Sequence, residues 1–324
     1  MKGKIMRSVL RITGLVVLGL VFLVGVFYLI VNPEREKLST EVRDQVEGEF
    51  VSLSQGWVHY QLEGEEEAPT VVLVHGFSVP YYVWDPTYAA LREKGFRVLR
   101  YDLYGRGFSD RPRVKYDLEL FASQLDELTS ALDLEKDIHV VGLSMGGPVA
   151  VEYAVDHPRQ VQSVVLISPQ ARSGTVEEVF PLNVPVIGEL MMAVIVEPII
   201  LPSAQPDDFY QPEHFPDWEE KYRVQLQYKG FRRAILSTIR NLLDMDPVQG
   251  LQALEKAGIP VLLIWGEEDQ SISREDMDRV RAILTEVEFH TVPEAGHLSH
   301  YERPAIVNPI ISFFIEKNSS REQP

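Results

Sequence analysis

The sequence predicts an α/β fold: a mostly parallel sheet covered by helices on both faces, interrupted by a helical cap insertion and preceded by one transmembrane helix. Three observations predict it. Short, continuously apolar runs alternate with helix-period segments between residues 50 and 316, the pattern of strands buried on both faces and the helices that cover them. The alternation stops between Ser168 and about Gly250, and eight of the chain's 21 prolines fall between Pro169 and Pro216. Residues 12–31 contain no charged side chain.

The elements follow in order. Four basic residues, Lys2, Lys4, Arg7 and Arg11, precede the uncharged run. At 1.5 Å per residue its 20 residues make about 30 Å of helix, the thickness of a bilayer core. The run is too long for a signal-peptide core and ends in Tyr28-Leu29-Ile30-Val31-Asn32-Pro33 without a small-x-small cleavage site. Residues 1–33 therefore read as a basic head and a membrane anchor through residues 12–31. Arg35, Lys37 and Arg43 follow closely, so the charge asymmetry is slight; it favours a cytoplasmic N-terminus and an extracytoplasmic body.

Residues 34–48 read as a linker, 49–317 as the main domain, and 318–324 as a polar, disordered tail. Residues 50–54 and 57–63 form a hairpin around Gln55-Gly56. Further strands are expected at 70–75, 97–101, 137–142, 161–167, 260–266 and 288–292. Helices are expected at 84–94, 117–132, 149–156, 274–284 and 304–316. Asp117 is placed to cap its helix, with Leu118, Phe121, Leu125, Leu128 and Leu132 at helical spacing. The proline-rich stretch excludes long regular elements, while 217–244 reads as helical. An insertion of that length is not a bare loop. It reads as a helical cap, about residues 169–250, over the carboxyl edge of the sheet, where such sheets bind ligands.

Composition narrows the function. The 324 residues, 45% hydrophobic and 24% charged, fit a globular α/β domain with an insertion. The absence of cysteine excludes a disulfide scaffold, a cysteine metal site and a thiol nucleophile. Net charge is −17, and since residues 1–33 hold four of the basic and none of the 48 acidic residues, the rest carries −21. Such a surface repels phosphate backbones, so no nucleic-acid partner is expected. Neither metal-ligand spacing nor a phosphate-cradling glycine loop appears, so no cofactor and no metal are expected.

The chemistry centres on Gly142-Leu143-Ser144-Met145-Gly146-Gly147, between a predicted strand and a predicted helix. A serine presented on so sharp a turn needs small residues two before and two after it, and Gly142 and Gly146 stand there. Three further segments share its order along the chain: His75-Gly76-Phe77-Ser78 after one strand, Asp102-Leu103-Tyr104-Gly105-Arg106-Gly107-Phe108-Ser109 after the next, and a late acid and histidine. Over about residues 50–316 the sequence resembles the α/β-hydrolase family, in its capped serine esterase and lipase branch, monoacylglycerol-lipase-like enzymes included.

The resemblance implies a triad in the chain order serine, acid, histidine. Asp269, in Gly266-Glu267-Glu268-Asp269-Gln270, stands at the family's acid position; Glu267 and Glu268 are its neighbours and rivals. His297, in Glu294-Ala295-Gly296-His297, stands at the base position, with His300 as rival. The backbone N–H groups of Phe77 and Met145 are the expected oxyanion donors. His75, Asp102 and Arg106 are expected to brace loops. A serine at the elbow argues against epoxide hydrolases and haloalkane dehalogenases, which share the fold but use a carboxylate nucleophile. C–C hydrolases also use serine, but their loop is usually richer in glycine than His75-Gly76-Phe77-Ser78-Val79-Pro80. A non-catalytic binding protein would have no need of all three triad positions.

The expected activity is thus hydrolysis of carboxylic esters, lipid-like ones included, by a membrane-anchored serine hydrolase. The partner is a small-molecule ester or lipid. Residues 184–201 are apolar apart from Glu189 and Glu197. They read either as cap packing or as an acyl pocket or membrane-facing lid; Leu190, Met191, Met192, Val194 and Ile195 are the candidate pocket residues.

Overall fold

The structure is a computed structural model and describes residues 2–134, 136–242 and 244–319. Eight strands form one sheet: β1 (Glu49–Leu53), β2 (Gly56–Glu63), β3 (Thr70–Val74), β4 (Arg97–Tyr101), β5 (Ile138–Leu143), β6 (Val161–Ile167), β7 (Val261–Gly266) and β8 (Glu288–Val292). Their order is β1-β2-β4-β3-β5-β6-β7-β8. The β1–β2 and β2–β4 pairs are antiparallel and all others parallel. The helices are α1 (Lys2–Val31), α2 (Asp85–Glu93), α3 (Leu118–Ala131), α4 (Gly146–Asp156), α5 (Phe231–Asn241), α6 (Pro247–Ala257), α7 (Arg274–Ile283) and α8 (Pro304–Asn318), with shorter turns between them.

Period-two alternation divides the central strands between two cores. Val72, Val74, Val140, Val164, Leu166 and Leu263 face one cluster, which α3, α4, α6 and α7 cover through Phe121, Leu125, Val149, Leu254 and Met277. Val71, Leu73, Val141, Val165, Ile167 and Leu262 face the other, covered by α2 and α8 through Tyr88, Leu91, Ile311 and Phe314. Both sides are buried, which is why these strands are dominated by apolar residues on both faces, with His139, Gln162 and Ser163 as buried polar exceptions. Asp117 caps α3 by accepting from the Leu120 N–H at 3.1 Å.

The helical reading of 217–244 holds in pieces: Trp218–Arg223, Val224–Gln227 and, after Gly230, whose φ of +102° lies in the left-handed region, α5. α6 starts at Pro247, near the expected end of the insertion at about residue 250, and packs on α4 as part of the layer over the sheet. Residues 34–48 are not a free linker. The Arg35 and Glu36 amides donate to the Gln227 carbonyl at 2.9 Å, Glu36 bridges Tyr228, and Arg43 pairs with Asp110. From residue 320 on, the expected tail lies outside the described residues.

Candidate active site

The strand order reverses at β3, which lies between β4 and β5, so the loops leaving β3 and β5 meet at the carboxyl edge. Ser144 follows β5 directly at φ +52° and precedes α4. The turn closes through the Ser144 N–H to the Ile167 carbonyl at 3.0 Å and the Gly147 N–H to the Ser144 carbonyl at 2.9 Å. The flanking glycines are required by close approach. A Cβ on Gly142 would stand 2.4 Å from the Gly146 carbonyl oxygen, and one on Gly146 would stand 2.4 Å from that of Val74.

His297 lies in the loop after β8 and Asp269 in the loop after β7. His297 Nδ1 lies 3.0 Å from Asp269 Oδ2, with both residues buried. The other carboxylate oxygen, Oδ1, accepts the Ser271 and Ile272 N–H groups at 2.8 and 2.9 Å. Burial alone would raise the Asp269 pKa; the His297 charge and these hydrogen bonds outweigh it and hold the carboxyl below its usual value. Burial alone would lower His297, but Asp269, with Asp208 adding to it, raises the imidazole above its usual 6.5. Glu267 is exposed and accepts from the Thr291 hydroxyl, and Glu268 is exposed. His300 hydrogen-bonds the Val83 carbonyl at 3.1 Å and packs on Trp84, and burial pushes it down to about 3. Asp269 and His297 are thus paired, Ser144 and His297 line one cavity, and His300 is turned instead to Val83 and Trp84.

A cavity of about 540 Å³ opens over Ser144, lined by Phe77, Met145, His297, Val79, Ile272 and, from the insertion, Leu201, Ala204 and Leu242. Phe77 and Met145, the expected oxyanion donors, both line it. The bracing residues are all engaged. His75 Nδ1–H donates to the Gly76 carbonyl, and its Nε2 accepts the Leu103 N–H, both at 2.9 Å. Asp102 accepts the Tyr81 and Phe108 N–H groups and pairs with buried His59 at 2.8 Å. Arg106 donates to the Phe77 carbonyl at 2.8 Å and to the Thr238 hydroxyl of α5 at 2.9 Å, tying the β3 loop to the insertion.

The expected acyl-pocket residues are a correction. None of Leu190, Met191, Met192, Val194 and Ile195 lines this cavity. Met192 is fully buried in the second core with Val196 and Trp218, while Leu190 and Ile195 are exposed. The run's apolarity serves packing on one side and an outward face on the other. Sequence reasoning missed Asp208, which lines the cavity and whose backbone carbonyl accepts the Leu298 N–H at 3.2 Å. Burial raises its carboxyl to about 6, against the pull of His297. No spacing in the sequence announces it, because it reaches His297 only through the folding of the insertion.

Residues 71–310 match the model of the alpha/beta hydrolase family. The chain belongs to that family. It is 26% identical over 280 residues to epoxide hydrolase 3 of Xenopus tropicalis, covering 80% of this chain and 75% of that one. It is 25% identical over 284 residues to lipase 3 of Moraxella sp. strain TA144, covering 84% of each. Among solved structures, the enol-lactonase from Burkholderia xenovorans LB400 superposes with a TM-score of 0.71 at 25% identity, covering 83% of this chain and all of that one.

Proposed function

We propose that this α/β hydrolase is a membrane-anchored serine hydrolase that cleaves carboxylic esters through an acyl-enzyme, with lipid-like acyl esters as its substrates. The observation that carries the reading is Ser144 on its positive-φ turn, sharing one cavity with a histidine whose Nδ1 is held by a buried carboxylate.

A serine hydroxyl becomes nucleophilic when a base removes its proton. His297 takes that proton at Nε2, and Asp269 fixes the ring with its Nδ1–H toward the carboxylate and stabilises the imidazolium. The alkoxide adds to the ester carbonyl, and the oxyanion is received by the N–H groups of Met145, at the start of α4, and Phe77. His297 then protonates the leaving alcohol, and water, activated by the same histidine, releases the acid. Ser144 in place of a carboxylate separates this reading from the chemistry named for the epoxide hydrolase relative. The insertion serves as a cap, closing the cavity with Leu201, Ala204 and Leu242.

Anchoring rests on α1. Its Leu10–Val31 segment has 22 residues and a mean hydropathy of 2.9, with none of its most apolar window buried against the body. The test is hydrolysis of p-nitrophenyl esters from acetate to palmitate by the full-length protein, with Ser144→Ala as control. Turnover that survives Ser144→Ala would refute the mechanism, and full-length protein left in the supernatant after ultracentrifugation of membranes would refute the anchor.

A further inference from the structure

The insertion carries an apolar face that neither the core nor the cavity uses. Val186, Ile187, Leu190, Ile195, Ile199 and Ile200 are all exposed, Val186 to 78%. They lie on the consecutive turns Ile187–Met191, which Val186 precedes, and Met192–Ile200, whose other side is sunk into the second core through Met192 and Val196. The Met192–Ile200 turn also packs against α1.

The contact with α1 is fixed at one end of the apolar span. Buried Glu197 accepts from Arg232 Nε at 2.6 Å. The same guanidinium donates from Nη2 to Asn32 Oδ1 at 2.5 Å and stacks over the Tyr28 ring, 5.5 Å from its centre. Glu34 accepts the Gly230 and Arg232 N–H groups at 2.9 Å. The residue types match this depth: Tyr28 suits the headgroup level, and the Arg232, Asn32 and Glu34 cluster marks the polar side of the boundary.

We propose that this apolar face rests on the lipid bilayer, so that the catalytic cavity opens beside the membrane surface. The proposal rests on α1 being a membrane anchor. An element bound to the last turns of a spanning helix sits at the lipid boundary; this element presents Ile195, Ile199 and Ile200, and the turn that leads into it adds Val186, Ile187 and Leu190. An amphipathic helical segment of this kind binds the interface in proportion to its buried apolar area. The chain runs without a break from Ile200 into Leu201 and Ala204, which line the cavity over Ser144. The exposed face is therefore separated by about one helical turn of chain from residues that line the cavity. The occupant is lipid rather than a soluble partner, because the face is continuous with a helix that is itself apolar and exposed through the span.

The chain has no cysteine, so single cysteines label cleanly. Leu190→Cys, Ile199→Cys, Leu18→Cys and Glu286→Cys, each in the full-length protein, are labelled with an environment-sensitive fluorophore and reconstituted into phosphatidylcholine vesicles, with and without lipids brominated on the acyl chain. Leu190 and Ile199 are exposed, so labelling removes no core packing; Glu286 is exposed on the loop before β8, at the opposite edge of the sheet. The proposal expects the labels at 190, 199 and 18 to shift to the blue and lose most of their emission to the brominated lipid, while the label at 286 stays in water. Quenching at 18 but not at 190 or 199 overturns the proposal and leaves the anchor standing. Absence of quenching at 18 overturns the anchor and the proposal with it. Labels at 190 and 199 shielded from aqueous iodide yet unquenched by lipid mean that a second copy covers the face, which also overturns it.

Discussion

Replacing Asp269 by asparagine removes one charge and keeps the shape. Its Oδ1 accepts two backbone N–H groups, from Ser271 and Ile272, and its Oδ2 faces His297 Nδ1 at 3.0 Å. The asparagine oxygen keeps the two backbone bonds, which places its amide nitrogen against Nδ1. That nitrogen donates, so Nδ1 must accept and the ring proton moves to Nε2. Nε2 then faces Ser144 as a donor and cannot take its proton. Loss of the correct tautomer costs about 10⁴ in kcat in such triads, about 5.5 kcal/mol of barrier at 1.36 kcal/mol per decade. The assay is hydrolysis of p-nitrophenyl butyrate by the wild type and Asp269→Asn at the alkaline plateau, with thermal melts of both. A variant that melts like the wild type and turns over within about tenfold of it would refute the role of Asp269.

Four further substitutions and a pH profile separate the parts of the site. Gly146→Ala puts a Cβ 2.4 and 2.5 Å from the Val74 and His75 carbonyl oxygens; overpacking of about 1–3 kcal/mol lowers the melting temperature, and an unchanged melt would contradict it. His297 must be uncharged to act as base, and its pKa is raised, so kcat/KM rises with pH to an inflection above 6.5. Asp208→Asn removes one negative charge that favours the imidazolium, so a pH–rate profile of this variant inflects at lower pH; an unmoved inflection would remove Asp208 from the electrostatics of the site. Leu201→Trp fills part of the cavity and lowers octanoate turnover more than acetate turnover, whereas Met192→Ala leaves the chain-length profile unchanged and costs about 2–5 kcal/mol of stability, read by denaturant titration.

What was legible in the sequence was what local patterning encodes. β3 and β7 are buried on both faces, so their apolarity is nearly continuous and their boundaries stand out. Ser144 was visible because its turn demands Gly142 and Gly146, a steric requirement written two residues to either side. Asp269 and His297 needed the family resemblance, since an acid among three carboxylates and one histidine among eight are not marked by spacing alone. The apolar run at 184–201 misled because hydrophobicity does not say which way a side chain faces: Met192 goes to the core and Leu190 to the outside. α6 was missed although Asp246-Pro247 at its start and Gly258 at its end are ordinary helix boundaries; Asp246 accepts the Val248 N–H at 3.0 Å. The docking of residues 34–36 on the insertion uses backbone amides and carbonyls, which carry no sequence signature.

The central claim is that Ser144 is the nucleophile. A fluorophosphonate probe, which needs an activated serine, tests it without a substrate being chosen. The full-length protein is treated with the probe, digested, and mapped by mass spectrometry beside Ser144→Ala and His297→Ala. One adduct per chain is expected, on the peptide holding Ser144, absent from Ser144→Ala and strongly slowed in His297→Ala. An adduct on any other serine, or ester hydrolysis by protein whose Ser144 remains unlabelled at full probe occupancy, would contradict it.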